Sequence, residues 1–109
     1  MEKVYNKLVR DNIPEIIKSN GGKAFYRELN DKEYWEYLLK KDNEELEEVK
    51  NAPSINELKK ELADKIEVIR AMAEYIGFTL LDIIDEADNK KHKNGGFKKR
   101  ILLEKVIED

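Results

Sequence analysis

The chain has 109 residues, 41% of them charged and 40% apolar, with a net charge of −3. One domain with a single modest core fits that length, and nothing in the acidic balance suggests charge-driven, non-specific binding to nucleic acid. The absence of cysteine excludes a disulfide framework and a thiolate zinc site.

Val4 to Arg10 reads as extended or irregular. Asp11 or Asn12 then caps a short helix with Pro14 in its first turn, where a missing N–H costs nothing. Gly21-Gly22 stops that helix. Lys23 to Leu29 reads as a short strand. Asn30 with Glu33 forms a capping box, opening a long helix to about Lys50. Ala52-Pro53 breaks it. Ser54 with Glu57 opens a second long helix, which ends near Gly77. Thr79 caps a third, which frays near His92. Gly95-Gly96 makes a turn, and Phe97 to Val106 reads as a strand or a short helix. The expected fold is mainly all-α: a single domain over residues 1–109, a bundle of three to five helices with short extended segments near the two ends. No apolar run approaches the ~18 residues that span a membrane, and the start lacks the apolar stretch of a signal peptide. A cytoplasmic protein is expected.

The chemistry concentrates on the two long helices. Trp35, Leu38, Leu39, Leu46 and Val49 share a stripe on the first. Leu58, Leu62, Ile66, Ile69, Ala73 and Ile76 share one on the second. Each helix carries an acidic pair three residues apart, Glu45 with Glu48 and Glu61 with Asp64, and that spacing puts both members on one face. The pairs flank the stripes, so antiparallel packing brings four carboxylates to the rim of the core. Glu44 and Glu47 are expected to point to solvent. Clustered carboxylates repel one another and favour a hard cation with oxygen ligands, Mg²⁺ or Mn²⁺. Asp42 and Lys65 fall inside the stripes. Two opposite charges at such positions are expected to face each other. The alternative is that Lys65 turns to the acidic cluster. His92, the one histidine, lies in a polar stretch and reads as a surface residue.

Glu44-Glu45-x-x-Glu48 followed by Glu61-x-x-Asp64 resembles the signature of the all-α nucleoside triphosphate pyrophosphohydrolases. That superfamily includes MazG proteins, dimeric dUTPases and phosphoribosyl-ATP pyrophosphohydrolase. The segment from Tyr5 to Pro14 and the segment from Gly95 to Ile101 resemble the phosphoribosyl-ATP-pyrophosphohydrolase-like branch. The resemblance implies metal-dependent hydrolysis of a nucleoside triphosphate, or a related nucleotide, to the monophosphate and pyrophosphate. It implies Glu45, Glu48, Glu61 and Asp64 as catalytic metal ligands, with Mg²⁺ as the cofactor and Mn²⁺ as a substitute. Lys7, Arg10 and Lys91 are the candidate phosphate-binding residues, in preference to Lys90, Lys93, Lys98, Lys99 and Arg100. A homo-oligomer, dimer or tetramer, is expected, with the site near an interface and with no nucleic acid or membrane partner. The alternatives are phosphoribosyl-ATP pyrophosphohydrolase itself and a non-catalytic helical module that binds nucleotides or a partner protein.

Overall fold

The structure, a computed structural model, describes residues 1–108. It is mainly all-α, with four helices: α1 (Ile13–Ser19), α2 (Asp31–Asn51), α3 (Ile55–Tyr75) and α4 (Leu80–Asn94). No strand forms among the described residues. The strand expected at Lys23–Leu29 is open chain, and the strand or helix expected at Phe97–Val106 is a turn, closed by Arg100 N–H on the Phe97 carbonyl, followed by open chain. A strand is stable only when its N–H and C=O groups find a partner edge, and neither segment has one among the described residues.

Local chemistry sets the helix ends. Asn30 accepts from the Glu33 N–H at 2.9 Å, and Ser54 accepts from the Glu57 N–H at 3.1 Å. Each is half of the expected box, because the Glu33 carboxylate turns to Arg27 and that of Glu57 to Lys60. The complete box is at Thr79 and Asp82, which bond each other's backbone N–H. α1 has Asn12 at its N-cap, without a side-chain cap bond. Its far end is closed by Gly21 at φ 88°, with Gly22 N–H on the Ile17 carbonyl and Gly21 N–H on that of Lys18. α3 ends the same way at Gly77, φ 96°. Such a left-handed turn satisfies carbonyls that a helix end otherwise leaves open.

α2 and α3, 21 residues each, are joined at residues 52–54 and pack as an antiparallel hairpin; α4 packs on α3. The α2 side of the seam runs through Trp35, Leu38, Asp42, Glu45 and Val49. The α3 side runs through Leu58, Glu61, Lys65, Val68, Met72 and Tyr75. Spacings of three and four keep each set on one face. At the open end Trp35 stacks on Tyr75, centroids 5.3 Å apart, with Tyr34 edge-on to the same ring. In the middle Lys65 Nζ meets Asp42 Oδ1 at 3.0 Å. The expected ion pair is therefore present, and Lys65 does not turn to the acidic cluster.

The seam is rotated from the stripes read in the sequence. Leu39, Leu46, Leu62 and Ile66, placed there inside the stripes, are exposed. α3 carries two apolar faces, and the choice falls to the one that lets Asp42 meet Lys65 and Trp35 meet Tyr75. Leu39 and Leu46 lie one residue beyond seam positions, as do Leu62 and Ile66. One residue is a turn of about 100°. In an antiparallel pair that turn leads both helices to the same side of the hairpin. The side before the seam positions carries Lys41, Glu44, Glu48 and Asp64. The hairpin therefore has one apolar side and one charged side.

The core is thin: Leu38, Val68 and Ala73 are the buried apolar residues. The accessible surface is 10312 Å², against roughly 6,300 Å² for a compact monomer of this mass. The radius of gyration is 18.5 Å, against about 13 Å for a compact chain of this length. Among the described residues no helix is long and apolar enough to cross a membrane.

The Asp42–Lys65 pair is partly open to water, with side chains 41% and 26% exposed, so solvent screens it. A double-mutant cycle with Asp42→Leu, Lys65→Val and both should give a coupling of about 0.5–1 kcal/mol by denaturant midpoints. Strictly additive losses would show that the two charges do not support each other.

Candidate metal centre

Glu45 on α2 and Glu61 and Asp64 on α3 each offer a carboxylate oxygen, all within 4.8 Å of one another. The hairpin register makes this group, since Glu45 and Glu61 are both seam residues one step from Asp42 and Lys65 toward the turn. Glu45 is buried, 6% exposed, and not at the rim as the sequence pattern suggests. Its Oε2 has no hydrogen-bond partner among the described residues. Its other oxygen lies 3.7 Å from Lys41 Nζ. A buried carboxylate oxygen without a donor costs free energy while it is charged, and a cation or a proton would lower that cost.

Glu48, the fourth expected ligand, is not brought into the group. It is exposed on the charged side, close enough to Glu61 for the two charges to repel. Glu44 departs from expectation in the other direction. It accepts from Lys7 Nζ at 3.1 Å and from Lys41 Nζ at 3.3 Å, because the N-terminal arm crosses this side of the hairpin and brings Lys7 to it. Arg10, farther along the arm, places Nη2 2.7 Å from Asp64 Oδ1. Lys7 and Arg10 are thus at the carboxylates. Lys91 is exposed in the last turn of α4 and forms no ion pair among the described residues. His92 is exposed in the same turn. Lys41 was missed in the sequence, although its spacing of three from Glu44 and four from Glu45 carries the signal.

The electrostatics follow from this crowding. Burial, with repulsion from Asp64, Glu61 and Glu44, holds the Glu45 carboxyl above its ordinary value, against the pull of Lys41. Desolvation, then Asp64 and Glu48, holds Glu61 up as well. Glu44 goes the other way: burial pushes it up, but its bonds to Lys7 and Lys41 outweigh that.

The three carboxylates suit a hard divalent cation. Mg²⁺ takes oxygen ligands at about 2.0–2.1 Å, which puts opposite ligands about 4 Å apart, and it keeps several waters. Neighbouring ligands on one such ion lie about 3 Å apart, so the group, within 4.8 Å of one another, has to draw together by up to about 2 Å to share one cation. Two surface clefts lie elsewhere. One is bordered by Trp35, Tyr75 and Ile76, the other by Phe78, Asp82, Ile83 and Glu86.

No family model matches the chain, and no solved structure matches it. A stretch of 46 residues, 42% of the chain, is 46% identical to an uncharacterised protein of Mycolicibacterium smegmatis. The match covers 47% of that protein, so the chain spans about half the length of the curated relative it matches.

A group held above its unfolded value stabilises the fold while protonated. That contribution is complete below the reference value of 4.5 and is lost as pH rises through the folded value. Glu44 and Glu33, held low, act in the opposite sense, their contribution being lost as pH falls below 4.5. Metal-free protein should therefore melt at a falling temperature as pH rises from 4.5 through the raised carboxyls, with Glu45→Gln flattening the fall and melting higher at pH 7. A Glu45→Gln variant that melts lower than wild type at pH 7 would show that the Glu45 charge stabilises the metal-free fold.

Proposed function

We propose that the chain is a divalent-metal-dependent nucleotide pyrophosphohydrolase, releasing pyrophosphate and a monophosphate from a nucleoside triphosphate or related nucleotide. The observation that carries this reading is the buried, unpartnered Glu45 oxygen beside Glu61 and Asp64. A structural carboxylate at a helix seam would be expected to end on a cation or on N–H donors. This one ends on two more carboxylates. The acidic motifs and their resemblance to the pyrophosphohydrolase signature add the reaction class.

In this reading Glu45, Glu61 and Asp64 would hold Mg²⁺. A bound Mg²⁺ would neutralise the triphosphate and lower the pKa of an attacking water. Glu48, exposed on the same side, accepts the water's proton. Lys7 and Arg10 approach from the arm and can turn to phosphate oxygens, to which guanidinium binds in a bidentate fashion. Attack falls at the α-phosphorus, with pyrophosphate as the leaving group. The cytoplasm supplies both nucleotides and Mg²⁺.

The same reading has the chain working as a homo-oligomer. Its accessible surface exceeds that of a compact monomer by about 4,000 Å², while a stable interface buries about 1,200–2,000 Å² in total. The apolar side with Leu39, Leu46, Leu62 and Ile66 is the surface a second copy would cover. The carboxylates are then reached from the opposite side, the one the arm crosses.

With Mg²⁺ and a panel of nucleoside triphosphates, the protein should release pyrophosphate and monophosphate in equal amounts. Glu45→Gln and Asp64→Asn should each cost at least about 100-fold in kcat, the loss of one metal-bound charge being worth several kcal/mol. Full activity in either variant would remove that ligand, and orthophosphate as the first product would exclude attack at the α-phosphorus. A wild-type protein inert toward the whole panel, yet still binding nucleotides, would favour the non-catalytic module.

In sedimentation the wild-type chain should run as a dimer or larger, and Leu62→Asp should shift it toward the monomer. A wild-type chain that runs as a monomer at micromolar concentration would contradict the assembly.

A further inference from the structure

The N-terminal arm is held against the charged side of the hairpin by two ion pairs of different kinds. Lys7 meets Glu44, which is not one of the three clustered carboxylates and is also bonded to Lys41. Arg10 meets Asp64, which is. The second contact places a guanidinium on a ligand of the proposed metal site, at 2.7 Å. That oxygen, Oδ1, cannot bond fully to Arg10 and to a metal at once without sharing its lone pairs. Two positive groups close to one carboxylate also repel each other.

We propose that Arg10 is a resident counter-charge which a divalent cation displaces from Asp64, and that the displaced guanidinium is then taken up by the substrate's phosphates. This rests on the metal reading above. Without metal, Arg10 partly neutralises the charged side of the seam. A Mg²⁺ ion brings two positive charges to the same place and repels Arg10. Until a phosphate arrives the arm stays near because Lys7 is held on Glu44, so Arg10 remains beside the site. An incoming di- or triphosphate supplies the anion that Arg10 has lost. Metal loading thereby prepares the phosphate clamp, and the order is metal first, nucleotide second. Arg10 and Asp64 are both partly exposed, at 55% and 40% for their side chains. The contact is therefore one that a metal ion can break at small cost.

The test uses the full chain and two probes, Mg²⁺ alone and inorganic pyrophosphate in saturating Mg²⁺, each by titration calorimetry. Arg10→Gln should bind Mg²⁺ about two- to fivefold more tightly than wild type, as expected from losing one exposed ion pair. The same variant should bind pyrophosphate several-fold more weakly. Opposite signs in one variant are what a merely structural role for Arg10 would not produce. Arg10→Lys should restore most of the wild-type Mg²⁺ affinity. Arg27→Gln, which removes a positive charge from the remote pair with Glu33, should leave Mg²⁺ binding within about twofold of wild type, the effect of exposed charges at long range being screened. Weaker or unchanged Mg²⁺ binding in Arg10→Gln would overturn the displacement, and unchanged pyrophosphate binding would overturn the hand-over. If neither wild type nor Arg10→Gln bound Mg²⁺, the metal reading itself would fail and the displacement with it. Far-ultraviolet circular dichroism of each variant confirms that the helices are retained.

Discussion

The structure turns on charge placed in a helix seam. α2 and α3 face each other along positions that packing would fill with apolar side chains, and four of those positions carry Asp42, Glu45, Glu61 and Lys65. Asp42 and Lys65 satisfy each other at 3.0 Å. Glu45 and Glu61 do not, because both are acidic and Asp64 joins them within 4.8 Å. Like charges at this range oppose the packing of the very helices that carry them. The aromatic contact of Trp35 with Tyr75 at the open end and the short connection at residues 52–54 hold the hairpin closed against that repulsion. Lys41 and Arg10 reduce it from the side. A carboxylate cluster retained under such strain has a physical rationale if a cation completes it.

The thin core is the second constraint. Among the described residues Leu38, Val68 and Ala73 alone are buried apolar side chains, and the apolar side of the hairpin is open at Leu39, Leu46, Leu62 and Ile66. A ligand cage needs its oxygens held to a fraction of an ångström, and two helices with so small a core hold them loosely. Covering the apolar side stiffens the hairpin from behind the site while leaving its charged side free. In the proposed assembly, the geometry of the proposed metal site depends on the same pair of helices that a second copy would cover.

Much of this was legible in the sequence, and the limits are instructive. Asn30, Ser54 and Thr79 marked the helix starts because a short side chain that accepts a backbone N–H has few other uses before an apolar run. Spacing alone pointed to four carboxylates, Glu45, Glu48, Glu61 and Asp64, and the structure brings three of them together without Glu48. The Asp42–Lys65 pair was legible because opposite charges stood where both helices called for apolar residues. The seam itself was misread by about one residue. α3 has two apolar faces, and counting aliphatic residues selects the one with Leu62 and Ile66; only the partner helix decides between them. The same rotation explains why Glu45 is buried and not at the rim. The partners of Glu44 were invisible for another reason. Lys7 lies 37 residues away in sequence, and no local pattern records where an arm crosses a helix pair. Lys23–Leu29 and Phe97–Val106 have strand-like composition, but strands form in pairs and composition does not name a partner.

The central claim is that Glu45, Glu61 and Asp64 form a site for a divalent cation. Its most direct test is a crystal of the protein soaked in Mn²⁺, with anomalous diffraction recorded at the manganese edge. The account predicts an anomalous peak within about 2.3 Å of an oxygen from each of Glu45, Glu61 and Asp64, slightly beyond the bond lengths that Mg²⁺ adopts. Manganese found only elsewhere on the surface, with the Glu45 oxygen still unbonded, would contradict it.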